Sequence, residues 1–280
     1  MKPKTLGLIA ALVAVPTVAA VVPGPLAGAL ASRTAHTWTA ARTANTWTPA
    51  RTATPPRPAA KGGTATLVSV IVTTGLDSAS SASTDALREP GRRLRSAACN
   101  TPGAGTNAYS LSGSRVTGST TAHFNPAGAP VSGAATAFQN AFSAWKAASN
   151  NAPSITVASD GTVRSATADH TDELMFAALQ GRTLAVTYTW HWTTGEYEDD
   201  VVFNTKVPWF MAGSEGTGCY PGVNAYDLQD VATHEFGHVY GLGHVQAPFN
   251  TMYPTATTGE TYKRSLAPGD ALGIRAVYGG

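Results

Sequence analysis

The chain has 280 residues, 43% of them hydrophobic, and a formal net charge of +2. This length predicts one or two domains with a sizeable core. The charge is uneven, because residues 1–98 hold 11 Lys or Arg and 3 Asp or Glu, whereas residues 99–280 hold 8 and 14. Nothing in this balance indicates nucleic-acid binding. Either the basic segment is attracted to the acidic part and inhibits it, or its charges are solvated in a flexible leader.

Residues 1–31 have the pattern of an export signal. Lys2 and Lys4 precede the short apolar run Leu6–Val15, and small-residue sites that favour cleavage follow. Pro16 interrupts the run, so a membrane-spanning helix is not expected. The pattern predicts a signal peptide and a secreted, extracellular protein with no membrane anchor in its mature form.

Residues 32–98 are predicted to be a propeptide or low-complexity linker. They begin with a Thr-, Ala- and Pro-rich repeat of nine residues that lacks the apolar content of a core. Leu67–Thr73 has the composition of a short β-strand. Arg88–Arg95 is basic and interrupted by Pro and Gly, which is typical of a processing site or of a solvated linker.

Residues 99–280 have the composition of a folded domain. In Ser132–Ser149, Phe138, Phe142 and Trp145 recur at i, i+4 and i+7, which predicts an amphipathic helix. The strands expected around it are Thr120–Asn125, Ile155–Ala158, Leu184–Trp190 and Tyr197–Phe203, and a closing helix is expected over Asp270–Tyr278.

The chemistry is concentrated in the stretch His234-Glu235-Phe236-Gly237-His238, followed by Gly241 and His244. Positions i and i+4 of a helix share one face, so His234 and His238 are spaced to bind one metal ion. Gly241 can adopt a left-handed conformation that ends the helix and brings His244 in as a third ligand. Three histidines leave one tetrahedral position open, as in catalytic zinc sites. Glu235 is placed to activate a zinc-bound water.

The stretch HEFGHVYGLGH, followed by NTMYP at 250–254, resembles the metzincin zinc endopeptidases, and within them the matrixin-like branch with its small secreted bacterial members. The resemblance implies an α+β catalytic domain with a twisted mixed β-sheet, a long helix, the zinc-binding helix and a C-terminal helix. It also implies a Met-turn at Met252. The astacin branch has a zinc-binding Tyr where this chain has Pro254, which argues against that branch.

We therefore expect a zinc-dependent endopeptidase that uses one catalytic Zn²⁺ and is a monomer. Its protein or peptide substrate would lie extended along an exposed edge strand. Two alternatives stay open. A secreted binding or structural protein with a closed zinc site would need a fourth ligand, for which Asp227 and Tyr253 are the nearest candidates. A protease-like scaffold without activity is disfavoured, because every residue that the chemistry requires is present.

Cys99 and Cys219 are the two cysteines of the chain, and export favours one disulfide between them. The alternative is that Cys99 caps the zinc, as the propeptide cysteine of animal matrixins does. The sequence around Cys99 does not match that motif, which favours the disulfide.

Further metal sites have weak support in the sequence. His123, His170 and His191 would be needed for a second, structural zinc, but the loop that carries it in animal matrixins is not recognisable here. The acidic residues Glu196 and Glu198–Asp200 could bind Ca²⁺ only if their oxygens converged, so Ca²⁺ is unsupported. A solvated strand edge is expected for these acids instead.

Overall fold

The computed structural model describes residues 62–76 and 104–280. The strands are β1 (Ala65–Leu76), β2 (Ser110–Leu111), β3 (Thr120–Phe124), β4 (Ile155–Ser159), β5 (Asp172–Ala177), β6 (Thr183–Trp192), β7 (Tyr197–Asn204), β8 (Trp209–Phe210), β9 (Tyr226–Asp227), β10 (Leu242–Gly243) and β11 (Thr255–Thr257). The α-helices are α1 (Ala134–Ala148), α2 (Leu228–Val239) and α3 (Pro268–Tyr278). Within these residues we find no helix with the length and apolar character needed to cross a membrane.

A seven-stranded mixed sheet forms the centre of the fold, in the order β11-β1-β6-β7-β5-β3-β4. The strands β4, β3, β5 and β7 run parallel to one another, whereas β6 is antiparallel to β7. β1 pairs antiparallel with β6 and, at its last residues, parallel with β11. The mixed α+β architecture predicted from the sequence is therefore confirmed.

The two longest helices, α1 and α2, pack together on one face of this sheet. Phe138, Phe142 and Trp145 of α1 are buried, as their spacing predicts. The Phe142 ring stacks on Phe236 of α2 with centroids 3.7 Å apart, and Phe138 stacks on Phe203 of β7 at 4.8 Å. Aromatic contacts of this kind add to the stability given by burial. They fix the position of α2 relative to the sheet.

Most predicted elements are confirmed, but β5 was not predicted. Its sequence DELMFA has no apolar–polar alternation, because β5 lies between β3 and β7 with Leu174 and Phe176 in the main core and Met175 in a second cluster on the opposite face. A strand that is buried on both faces has a short continuous apolar run, which periodicity alone does not distinguish from a helix segment.

The expectation of a solvated acidic edge on β7 is wrong. Glu198, Asp199 and Asp200 are each 2% exposed or less. The segment before β5 covers them, and its backbone N–H groups donate to the carboxylates: Asp169 to Glu198 at 2.7 Å and Thr167 to Asp200 at 2.9 Å. These carboxylates are buried because a neighbouring loop supplies the hydrogen bonds that water would otherwise supply.

β1 lies within the stretch predicted to be a propeptide or linker. The predicted strand Leu67–Thr73 is confirmed and is longer than expected, since β1 spans Ala65–Leu76. The predicted boundaries after residues 31 and 98 fall outside the described residues, as do Cys99 and the basic stretch 88–95. These boundaries stay predictions.

Candidate metal centre

The helix α2 carries the first two histidines, and it begins directly after Asp227. Asp227 is its N-cap and accepts a hydrogen bond from the Asp230 N–H at 2.9 Å. The Arg264 guanidinium donates to both carboxylate oxygens of Asp227, at 2.6 and 2.7 Å. This bidentate contact engages both oxygens of the Asp227 carboxylate. Asp227 is therefore a helix cap and not a fourth metal ligand.

The three histidines converge on one point. The Nε2 atoms of His234 and His244 are 3.0 Å apart, and each lies 3.2 Å or less from Nε2 of His238. A tetrahedral zinc with Zn–N distances of about 2.0–2.1 Å requires ligand nitrogens about 3.3 Å apart. Among the described residues, no other group of His, Cys, Asp or Glu side chains converges in this way. The described chain thus offers three protein ligands and leaves a fourth position open.

The opposite ring nitrogens show which tautomer two of these histidines adopt. Nδ1 of His234 lies 2.6 Å from the Thr251 carbonyl, and Nδ1 of His238 lies 2.8 Å from the Leu242 carbonyl. A carbonyl only accepts, so each Nδ1 carries the proton and each Nε2 presents a lone pair. Burial lowers the pKa of His238 to about 3 and that of His244 to about 4, and it also lowers the pKa of His234. Neutral imidazoles are the form that binds zinc.

Gly241 makes the turn that brings His244 to the other two histidines. Its φ is 95°, and a Cβ at this position would lie 2.3 Å from the Ser114 carbonyl oxygen. Its N–H bonds to the His238 carbonyl at 2.9 Å, which ends the helix. Only glycine combines this conformation with such a close backbone approach. The sequence-based interpretation of Gly241 is confirmed.

Glu235 lies on α2 beside the histidines and is fully buried. The Thr187 hydroxyl of β6 donates to Oε2 at 2.6 Å, while Oε1 has no hydrogen-bond partner among the described residues. Burial raises the pKa of Glu235 to about 7, and the hydroxyls of Thr187 and Thr73 oppose this rise. Thr73 lies close to the carboxylate without the geometry of a full hydrogen bond. One oxygen of Glu235 is therefore held and the other is available for a ligand.

Met252 packs beneath α2 in a tight turn. A Cβ on Gly237 would lie 2.2 Å from the Met252 sulfur and 2.6 Å from the Trp145 ring, so only glycine lets both side chains approach the helix. The turn is held by Asp270, whose carboxylate accepts from the N–H groups of Thr251 at 2.7 Å and Met252 at 3.2 Å. The same turn presents the Thr251 carbonyl to His234.

Comparison with known proteins gives the same result as this geometry. A family profile described as Matrixin matches residues 121–279, which is more than half of the chain. The chain belongs to the matrixin family. Matrixins are zinc metalloendopeptidases, and His234, His238 and His244 are the zinc ligands typical of them.

Individual matrixins are similar to parts of this chain. Metalloendoproteinase 2-MMP of Arabidopsis thaliana is 37% identical over 122 residues, which cover 43% of this chain and 30% of that protein. Human Matrix metalloproteinase-20 is 36% identical over 112 residues, covering 40% and 20%. Human Neutrophil collagenase is 48% identical over 54 residues, covering 19% and 12%. The chain therefore matches less than a third of the length of each of these relatives.

Several residues around this matrixin site were not found from the sequence. Thr187 contacts Glu235 from β6, and the fully buried Lys263 acts electrostatically on His234 and His244. The Lys263 ammonium donates to the carbonyls of Tyr253 at 3.1 Å and Thr255 at 2.6 Å. It also lies 3.4 Å from the Glu260 carboxylate. These residues reach the site from distant parts of the chain, so no local spacing indicates them.

A second zinc finds no support in the described part of this matrixin. His123 pairs with Asp160 at 3.0 Å, His170 pairs with Glu196 and stacks on Trp192, and the ring of His191 lies 4.7 Å from that of Tyr197. The three rings belong to separate local contacts. The acids of β7 also form no convergent ligand group, since the cluster of His234, His238 and His244 accounts for the metal-ligating groups found.

Proposed function

We propose that the chain is a secreted zinc-dependent endopeptidase that hydrolyses peptide bonds in protein substrates. The observation that carries this proposal is the convergence of three histidine Nε2 atoms beside a buried glutamate on one helix. Membership of the matrixin family supports the same reaction class. A closed, structural zinc site has no comparable support, because Asp227 is occupied by Arg264 and the described residues offer no fourth His, Cys, Asp or Glu beside the three histidines.

The three histidines would hold zinc through Nε2, in the tautomer that Thr251 and Leu242 select. When bound, zinc supplies a water of lowered pKa and an electrophile for the scissile carbonyl. The Thr251 and Leu242 carbonyls orient two of the rings, and such outer contacts strengthen metal binding. The chain thus supplies three neutral ligands in a buried setting.

Glu235 is the proposed general base and acid. Its Oε2 accepts from Thr187, and Oε1 is left without a hydrogen-bond partner in the described chain, so it can accept from a bound water. The carboxylate would take a proton from the nucleophilic water and later donate it to the leaving amine. A pKa near neutrality suits both steps, because the group must accept and release the proton in one cycle.

Other features of the proposal come from the sequence. The signal peptide at 1–31, the propeptide or linker at 32–98 and the catalytic domain at 99–280 are proposed as the domain organisation. Matrixins are generally secreted, which supports export. The Cys99–Cys219 disulfide, the Met-turn role of Met252, a monomeric state and the likeness to small bacterial members are proposals on the same footing.

The first test is Glu235→Gln. Glutamine keeps the size of the side chain but cannot accept the proton, so casein hydrolysis should fall by about 10²–10⁴-fold. The zinc content, measured by atomic absorption, should stay near one per chain because Glu235 is not a ligand.

Glu196→Gln is the matched control, since it makes the same chemical change at a partly exposed residue that pairs with His170, away from the three histidines. It should keep wild-type hydrolysis. Full activity in the Glu235→Gln protein would refute the proposed mechanism, and chelation that leaves hydrolysis unchanged would refute the role of zinc.

A further inference from the structure

The turn that follows the third histidine supports two of the three zinc ligands through its backbone. The Thr251 carbonyl accepts from Nδ1 of His234 at 2.6 Å. The Met252 carbonyl accepts at 3.1 Å from the N–H of Val245, which directly follows His244. Contacts of this outer kind orient the rings of metal ligands. A shift of the turn would therefore disturb both His234 and the chain that carries His244.

Charged side chains hold this turn from two directions. The Asp270 carboxylate accepts from two N–H groups of the turn. The Lys263 ammonium donates to the carbonyls of the residues that follow, Tyr253 at 3.1 Å and Thr255 at 2.6 Å. A carboxylate accepts and an ammonium only donates, so the two side chains satisfy different groups of the same backbone.

The carbonyls that Lys263 binds have no strand beside them. β11 is the last strand at its end of the seven-stranded sheet, and among the described residues no strand pairs with its outer edge. Buried carbonyls without a donor are costly. Lys263 is fully buried and supplies N–H groups where a further strand would otherwise be needed.

Lys263 also connects the turn to the zinc-binding helix. Its backbone N–H donates to Oδ1 of Asp230 at 2.8 Å. Asp230 lies one helical turn before His234 and on the same face of α2. The backbone and the side chain of one buried residue thus join the helix that carries two ligands to the turn that supports them.

The surroundings of Lys263 stabilise a cation. The Glu260 carboxylate lies 3.4 Å from the ammonium, which together with the two carbonyls provides a partner for each of its three N–H groups. Burial raises the pKa of Asp230 and of Glu260, and the charge of Lys263 opposes both rises. A buried ammonium is stable only with such hydrogen bonds and opposite charges around it.

The charge of Lys263 by itself does not favour a metal. Burial lowers the pKa of His234 and of His244, and the positive charge of Lys263 lowers both further. A cation that acts on these rings also repels Zn²⁺. If Lys263 favours zinc binding, it does so through the hydrogen bonds that it donates.

We propose that Lys263 is a positioning residue of the zinc centre, which fixes the turn at 251–255 against α2 and so holds two of the three histidines in place. It acts through the backbone of the turn and not as a ligand. The inference concerns zinc binding, and it rests on the proposed function only in that the proposed reaction uses this metal.

The test is the zinc affinity of Lys263→Met, measured by competition with a chelating dye. Every protein in the series is the full chain with Glu235→Gln, which prevents self-cleavage and serves as the parent. Methionine keeps an unbranched side chain but removes the ammonium, so zinc binding should weaken about tenfold or more. Loss of the positive charge alone would have the opposite effect and tighten it.

Lys146→Met is the matched control. Lys146 also donates to two backbone carbonyls, those of Asn150 at 2.6 Å and Ala152 at 2.8 Å, but it lies at the end of α1. The control therefore loses the same kind of contact away from the turn. It should bind zinc as the parent does.

Two further measurements separate positioning from charge and from stability. Lys263→Gln keeps two N–H donors without the charge, so it should bind zinc more tightly than Lys263→Met. The visible d–d bands of the Co²⁺-loaded protein depend on ligand geometry, so they should change in Lys263→Met and stay unchanged in Lys146→Met. If Lys263→Met does not fold, its combination with Glu260→Gln, which removes an acid left without its cation, replaces it.

The outcomes separate the inference from the proposed function. Zinc binding that is tighter than in the parent in both Lys263 variants would overturn the inference, since Lys263 would then act only through its charge. A lower free energy of unfolding with unchanged zinc affinity and unchanged Co²⁺ bands would also overturn it. Weaker zinc binding in Lys263→Met would support it, even if the wild-type protein bound zinc and cleaved no casein, a result that would reject the peptidase alone.

Discussion

β1 and β7 pair with opposite edges of β6, and both run antiparallel to it. The two strands nevertheless differ in how far their side chains are buried. β7 is buried from Glu198 to Asn204, whereas β1 has four apolar residues exposed and none in the core. The difference shows that backbone pairing by itself does not make a strand part of the core. Side-chain burial on the faces decides how much a strand contributes to stability.

Truncating a buried side chain of β7 is expected to cause the largest loss of stability. Phe203 is 0% exposed and stacks on Phe138, so Phe203→Ala should lower the free energy of unfolding by about 3–5 kcal/mol. Urea denaturation followed by tryptophan fluorescence would measure the change. A loss below about 1 kcal/mol would contradict the assignment of β7 to the core.

The buried acids of β7 predict that the stability of the protein depends on pH. Burial raises the pKa of Asp200 to about 10, with Glu173 and Glu198 adding to the rise, while an unfolded Asp titrates near pH 3.9. Between these values the folded state keeps a proton that the unfolded state loses, so stability should fall as the pH rises, by up to about 1.4 kcal/mol per pH unit.

The matched variant is Asp200→Asn, which cannot lose a proton. Its free energy of unfolding should depend less on pH than that of the wild type when urea denaturation is repeated from about pH 5 to about pH 8. A wild type that gained stability over Asp200→Asn with rising pH would reverse the sign of this prediction.

The strand β6, which pairs with both β1 and β7, carries a side chain whose effect on activity can be tested. Thr187→Val removes the hydroxyl that holds Glu235, and a hydrogen bond to a charged group contributes about 1.5–3 kcal/mol. Casein hydrolysis should fall about 10- to 100-fold relative to the wild type.

Thr189→Val is the control for Thr187, because Thr189 lies two residues further along β6 and donates to Asp199 at 2.6 Å instead of to Glu235. Its hydrolysis rate should stay within about twofold of that of the wild type. Equal losses in both variants would show that the effect comes from β6 as a whole.

The smallest effect is expected on the exposed face of β1. Val72 is 40% exposed, so Val72→Thr should change the free energy of unfolding by less than about 0.5 kcal/mol. Urea denaturation with the Phe203→Ala protein as reference would test this. A cost above about 2 kcal/mol would mean that β1 is as much a part of the core as β7.

The zinc-binding helix and the amphipathic helix α1 could be predicted from the sequence because their signals are local. His234 and His238 lie one helical turn apart, and Gly241 marks the place where the chain turns back. The aromatic residues of α1 recur at helical spacing for the same reason. By contrast, the sequence of β5 shows no alternation of apolar and polar residues, because neighbours from distant parts of the chain bury both faces of this strand.

The surroundings of the site depended on contacts that no spacing records. Thr187 is 48 residues from Glu235 in the chain, and Thr73 of β1 approaches the same carboxylate from further still. The acidic residues of β7 are of a type that is usually exposed to solvent. They are buried here because the loop that covers them donates backbone hydrogen bonds to their side chains. Hydrogen-bond partners can be named from a sequence only when they are local.

The sequence alone therefore determined which histidines are spaced to bind zinc and which helix presents two of them, because a ligand pair at fixed helical spacing needs no knowledge of the rest of the fold. The tertiary structure decided which segments pack around that centre. Whether Leu67–Thr73 lies apart from the sheet or joins it depends on the backbone hydrogen bonds that β6 and β11 offer. Every strand has the same backbone groups, so a sequence does not specify which edge a strand will join.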